Sequence, residues 1–115
     1  MSPPAALATQ LQDLTEREYV RFVAQWIDAA TEDDIHQAPE PTGDTVIDAL
    51  VAGAAAFVGI RRHGGEPSWT SEPERIYRGL WHPGPPGFFA WSLVHSPASF
   101  RVRGILIEED SLVSV

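Results

Sequence analysis

Residues 45–63, TVIDALVAGAAAFVGIRRH, constrain the fold more than any other stretch of this chain. Val46, Ile47, Leu50, Val51, Ala54, Phe57 and Val58 recur at three- and four-residue intervals and give a helix a broad apolar face. A helix of that kind belongs at the centre of a core. Asp44 stands where an N-cap is needed. Gly53 and Gly59 each cost a helix about 1 kcal/mol relative to alanine, which predicts that neighbours approach closely there. Arg61, Arg62 and His63 complement the dipole in the last turn, and Gly64-Gly65 supplies a left-handed stop.

The flanking segments are also helical in pattern. Pro3 and Pro4 precede AALATQLQDL, a first helix that is expected to fray over residues 1–14. Thr15 and Glu18 form a T-x-x-E capping signature. It leads residues 16–30, where Tyr19, Phe22, Val23, Trp26, Ile27 and Ala30 fall on one stripe. Thr31 with Asp34 starts one more turn, and the prolines of APEP stop it, leaving 38–44 as a connector. Further on, Ser71-x-x-Glu74 with Pro73 predicts a helix ending near Gly79, with Arg75 and Arg78 on one face. FFAWSLVH is expected to be a short buried helix, and ASFRVR another, ended by Gly104. Ile105 to Ile107 is a strand or an extended tail. HPGPPG is a stiff corner that positions Trp81 and the helix beginning near Phe88.

These patterns predict an all-α fold: residues 1–115 form a single domain, a compact bundle of about five short helices with at most a short C-terminal strand. Cysteine is absent, which removes disulfides, thiolate metal sites and cysteine nucleophiles. The first residues lack a signal-peptide pattern, so a cytoplasmic protein with no membrane contact is expected. Residues 1–60 hold two arginines against ten acids, whereas residues 61–115 hold six of each, so the net charge of -8 lies in the first half. That half opposes a phosphate backbone and suits a basic partner.

Candidate chemistry is sparse. His82 and His95, with His36 or His63, match no metal-ligand spacing, and no metal or other cofactor is expected. His82 is expected to hydrogen-bond within the turn and His95 to cap its helix. The chain has no lysine and no phosphate-loop pattern, which excludes a P-loop nucleotide site. No pair of carboxylates is held at a working separation and no nucleophile accompanies them, so a non-enzymatic role is expected. The acidic run from Asp28 to Asp48, with Asp33 and Asp34 at its centre, is a solvated face or a docking patch. Arg75, Arg78, Arg101 and Arg103, with Trp69, Trp81 and Trp91, bring together the residue types that dominate protein interfaces, or else serve the core.

PSWTSEPERIYRGLW, followed by FFAWSLVHSPASFRVRGILIEEDSL, resembles the C-terminal region of small antitoxin-like proteins of high-GC Gram-positive bacteria. The matching positions are Pro67, Trp69, Thr70, Pro73, Arg75, Trp81, Leu93, Val94, Ser96, Pro97, Ala98, Phe100, Arg101, Arg103, Gly104 and Ile105, and with TGDTVIDALVAGAAAF the likeness covers about residues 42–110. In that family the region often follows a helix-turn-helix segment, and the genes often neighbour nucleotidyltransferase-like toxins. The resemblance implies a module that neutralises a partner protein by direct contact. Residues 1–40 are too few and too acidic for a DNA-reading domain, so direct nucleic-acid binding is not expected. The expected partner-binding set is Trp69, Arg75, Arg78, Trp81, Arg101 and Arg103 with Asp33 and Asp34. The alternatives are a small-ligand-sensing domain related to transcription regulators and, behind it, a small enzyme using His82 or His95 as acid or base.

Overall fold

In the computed structural model, which describes residues 2–112, every residue from Ile47 to Gly59 is buried. They belong to α4 (Thr45–Arg62), which touches α1 (Pro4–Gln12), α2 (Glu16–Ala29), α3 (Glu32–Ile35) and α6 (Ala98–Arg101). The remaining helix is α5 (Phe89–His95), and short 3-10 turns cover Ser68–Ser71, Pro73–Arg75, Pro86–Phe88 and Glu109–Leu112. The protein is mainly all-α, with no strand among the described residues. No described helix is long and apolar enough to cross a membrane.

The small residues of α4 make its burial feasible. Gly53 lies under the Phe100 ring of α6: a Cβ there would stand 2.6 Å from a ring carbon, so any side chain would push α6 off the core. Phe100 is fully buried and also meets Phe57 at a ring separation of 6.1 Å. At the other end, Asp44 accepts from the amides of Val46 and Ile47 at 3.0 and 3.2 Å, the expected N-cap. Asp48 is buried and accepts from the Thr42 amide and hydroxyl, closing the connector onto the helix.

Several local expectations are corrected. Residues 4–12 are helical, and Leu7 and Leu11 are buried against the core, so this segment is docked where fraying was expected. Thr15 occupies the N-cap of α2, but its hydroxyl makes no capping bond; the Glu18 amide is already met by the Thr15 carbonyl at 2.9 Å. The capping box stands one helix later, where Thr31 and Asp34 exchange side-chain and backbone bonds at 3.2 and 3.0 Å. Burial raises the Asp34 carboxyl, but the Thr31 amide and hydroxyl, together with the Ser2 amide, hold the group below the usual aspartate range.

The segment expected to be a helix from Ser71 to Gly79 is two 3-10 turns followed by extended chain. Glu72, between them, is extended because Pro73 disfavours helical geometry in the residue before it. The chain then runs alongside residues 103–106: Tyr77 donates to the Arg103 carbonyl, Trp81 to Gly104, and Leu106 to Trp81, at 3.0, 2.8 and 2.8 Å. Ile105 forms one parallel bridge with Trp81, so Ile105 to Ile107 is a buried extended run and not a strand of a sheet. Gly104 permits this crossing, with φ of +80° and the Tyr77 and Gly79 carbonyls where a Cβ would project.

Candidate functional site

The eight residues expected to contact a partner separate into two groups. Arg75, 2% exposed, donates to the Pro39 carbonyl at 2.6 Å and to Glu72 at 3.3 Å, and its guanidinium lies 4.9 Å from the centre of the Trp69 ring. Trp69 is buried too and donates from Nε1 to the Ile35 carbonyl at 2.8 Å. Arg103, 3% exposed, gives two bonds to the Thr70 carbonyl at 3.0 and 2.8 Å and one to Ser99 at 2.6 Å. Burial lowers its guanidinium from the usual arginine value, and Glu66, 3.5 Å away, opposes that shift. Asp34 is the buried cap described above. These four side chains close loops against the core: Trp69 and Arg75 bind the 35–39 segment to the 68–75 turns, and Arg103 binds those turns to α6.

Arg78, Arg101 and Asp33 are exposed, and Trp81 is half-buried, its Nε1 donating to Glu16 at 2.8 Å while its ring meets Tyr19. Arg75 and Arg78 therefore do not share a face, because the helix that would have aligned them does not form. Arg101 stands beside α5, donating to the Leu93 carbonyl at 3.3 Å.

The larger correction concerns α5. It was expected to be buried, yet only Ser92 within it is, along with Ser96 just beyond its end. Ser96 Oγ donates to the Ser92 carbonyl at 2.5 Å, a bond within the helix end, and these two serines are the residues of the segment turned toward the domain. Its large side chains turn outward: Val94 is 69% exposed, Trp91 55% and Phe88, just ahead of it, 56%, with Phe89 and Leu93 also exposed. Trp91 stacks on His95 at 3.8 Å, and His95 Nδ1 lies 2.9 Å from the Trp91 carbonyl one turn back. Leu80 and Val102 add further exposed apolar side chains. A cluster of aromatic and aliphatic side chains directed at solvent is the usual mark of an interaction surface.

Behind this helix the HPGPPG corner walls a cleft of about 220 Å³. Val20, Pro83, Pro85, Phe88, Leu106 and Ile107 supply its apolar lining, and His82, Ser92, Glu108 and Ser111 its polar groups. His82 Nε2 lies 2.9 Å from Ser92 Oγ, tying the corner to α5, and its ring meets Phe89 edge-on. A serine and a histidine at this separation have the spacing of a nucleophile and its base. No carboxylate pairs with His82 among the described residues, so the orienting third group of a triad is missing.

One signal in the sequence could have exposed the inverted helix. Ser92 and Ser96 stand four residues apart and mark the only small polar edge of FFAWSLVHS, and in a seven-residue helix that edge is wide enough to seat it. Compared with protein-family models, with curated proteins and with solved structures, the chain matches none.

Proposed function

We propose that this chain is a protein-binding module of the antitoxin type, which neutralises a partner by covering it with the outward face of α5. The observation in support is the solvent exposure of Trp91 and Val94 on α5 and of Phe88 just ahead of it, while only Ser92 within the helix is buried. Large apolar and aromatic side chains anchor most interfaces, and an arginine at their rim adds bidentate contacts. Arg101 occupies that rim position here; Arg78 and Asp33 are exposed elsewhere on the chain, and Trp81 is half-buried with its Nε1 on Glu16. Trp69, Arg75, Arg103 and Asp34 leave the contact set, since each is buried and bonded inside the domain. A neighbouring-gene toxin of the nucleotidyltransferase type is the partner that the motif resemblance implies.

The test is co-expression with each adjacent open reading frame, scoring host growth and co-elution on size exclusion. A toxic neighbour rendered harmless by the wild-type chain, but not by a Val94→Asp variant of unchanged circular dichroism, supports the proposal. Rescue by both proteins alike removes α5 from it, and the absence of any toxic or co-eluting neighbour overturns it. A ligand-sensing role has separate support in the cleft beneath α5.

A further inference from the structure

The cleft has a definite chemical polarity. Its walls are the apolar side chains of Val20, Pro83, Phe88, Leu106 and Ile107, and Glu108 is the one carboxylate among its lining residues. No arginine lines it. The next residue, Glu109, is taken up by Arg61, whereas Glu108 has no ion-pair partner among the described residues. His82, Ser92 and Ser111 add groups able to exchange hydrogen bonds with a polar head, and the second ring nitrogen of His82 has no partner among the described residues. At about 220 Å³ the space falls below the roughly 300 Å³ at which sites for drug-sized ligands begin. It suits one ring or a short branched chain.

From the apolar walls, the Glu108 carboxylate without an ion-pair partner among the described residues and the lack of any lining arginine, we infer that this cleft is a binding site for a small apolar primary amine, its ring against Phe88 and Val20 and its ammonium on Glu108. The acidic chain, with a net charge of -8, further favours a cation over an anion of the same shape. Glu108 also lines a second, smaller notch, with Trp91, His95, Glu109 and Asp110. The surroundings of the ammonium are therefore acidic and aromatic on the side away from the ring. The site does not depend on the α5 docking surface having a protein partner: it is a property of the free chain.

Three probes of one shape and different charge test it: benzylammonium, benzyl alcohol and benzoate, titrated into the ¹⁵N-labelled full chain at neutral pH. Benzylammonium is expected to bind saturably, shifting the amides of residues 82–92 and 106–111, with affinity falling to benzyl alcohol and lowest for benzoate. Glu108→Gln is expected to weaken benzylammonium about tenfold, as loss of a charged hydrogen-bond acceptor does, and to leave benzyl alcohol unchanged. Val20→Trp fills the cleft from α2 and is expected to abolish binding of both; should that variant misfold, Glu108→Gln alone decides. Benzoate binding as tightly as benzylammonium, an unchanged affinity in Glu108→Gln, or no saturable shift with any probe overturns the inference. None of these outcomes bears on co-elution with a protein partner, so the two proposals fail separately.

Discussion

Helices α4 and α5 carry comparably apolar sequences and have opposite fates. VIDALVAGAAAFVG is enclosed on every side, while FFAWSLV shows its largest side chains to water. Side-chain size and length separate them. Five alanines and two glycines let α1, α2, α3 and α6 approach α4 from all directions, and its length gives each of them a place to pack. Helix α5 has seven residues and three ring-bearing side chains of its own, and it follows a proline-rich corner. Its buried residue is Ser92, followed just beyond its end by buried Ser96, so the edge it presses against the domain is polar, and its small apolar residue Ala90 is exposed. Apolar character alone therefore does not distinguish a buried helix from an exposed one; the placement of the small residues does.

Substitutions at the two helices sharpen the contrast, beginning with the largest effect. Phe100→Ala removes the ring that seats on Gly53 and Phe57, and is expected to cost about 3–5 kcal/mol in urea unfolding. Trp91→Ala removes a ring of similar size from α5 and is expected to change stability by no more than about 0.5 kcal/mol. A loss of 2 kcal/mol or more at Trp91 would mean that α5 is part of the core, and the contrast would collapse.

Next in size are the buried arginines. Arg103→Met keeps the aliphatic stem but leaves the Thr70 and Ser99 carbonyls without their donor, at an expected cost of about 3 kcal/mol. Arg78→Ala, at an exposed position, is expected to fall within about 0.5 kcal/mol of wild type. Equal midpoints for the two variants would show that the polar ties around Arg103 do not hold the turns.

The smallest effect lies at the acid end of the stability profile. The Asp34 carboxyl is held below its ordinary value in the folded chain, so the unfolded chain protonates first as pH falls. Its contribution is fully present above the unfolded value of about 3.9 and is lost as pH drops through the folded value. Asp34→Asn retains an acceptor for the Thr31 amide, and is expected to cost about 1 kcal/mol or less at pH 7 while flattening the decline below pH ~4. Thermal melts across that range compare the two, and parallel profiles would show that the cap does not carry the linkage.

Much of the helical frame was legible because its signals are local. The apolar period of residues 45–62, the Asp44 cap, the Thr31–Asp34 turn and the Gly104 stop each depend on residues a few positions apart. The Ser71–Glu74 start was equally local and misled, since Pro73 put the preceding residue into extended geometry and the carbonyl of Arg103 took up the Tyr77 amide. Of the expected contact set, Trp69, Arg75 and Arg103 stand out by side-chain type, and those types serve interfaces and buried loop closures equally well. Which role they play is set by carbonyls 33 to 36 positions away for Arg75 and Arg103 and 34 away for Trp69, and no spacing in the chain announces those.

The sequence by itself determined that this protein is helical, that its centre is the small-residue segment from Val46 to Gly59, and where the Thr31 and Asp44 caps and the Gly104 stop fall, because hydrogen bonding within a turn and apolar periodicity are short-range properties. Only the tertiary structure decided that the conspicuous arginine and tryptophan of the 67–75 motif face inward, that α5 presents its rings to solvent, and that the HPGPPG corner walls a cleft in which Glu108 has no ion-pair partner among the described residues. Those outcomes depend on which distant carbonyls and surfaces meet once the chain has closed around α4.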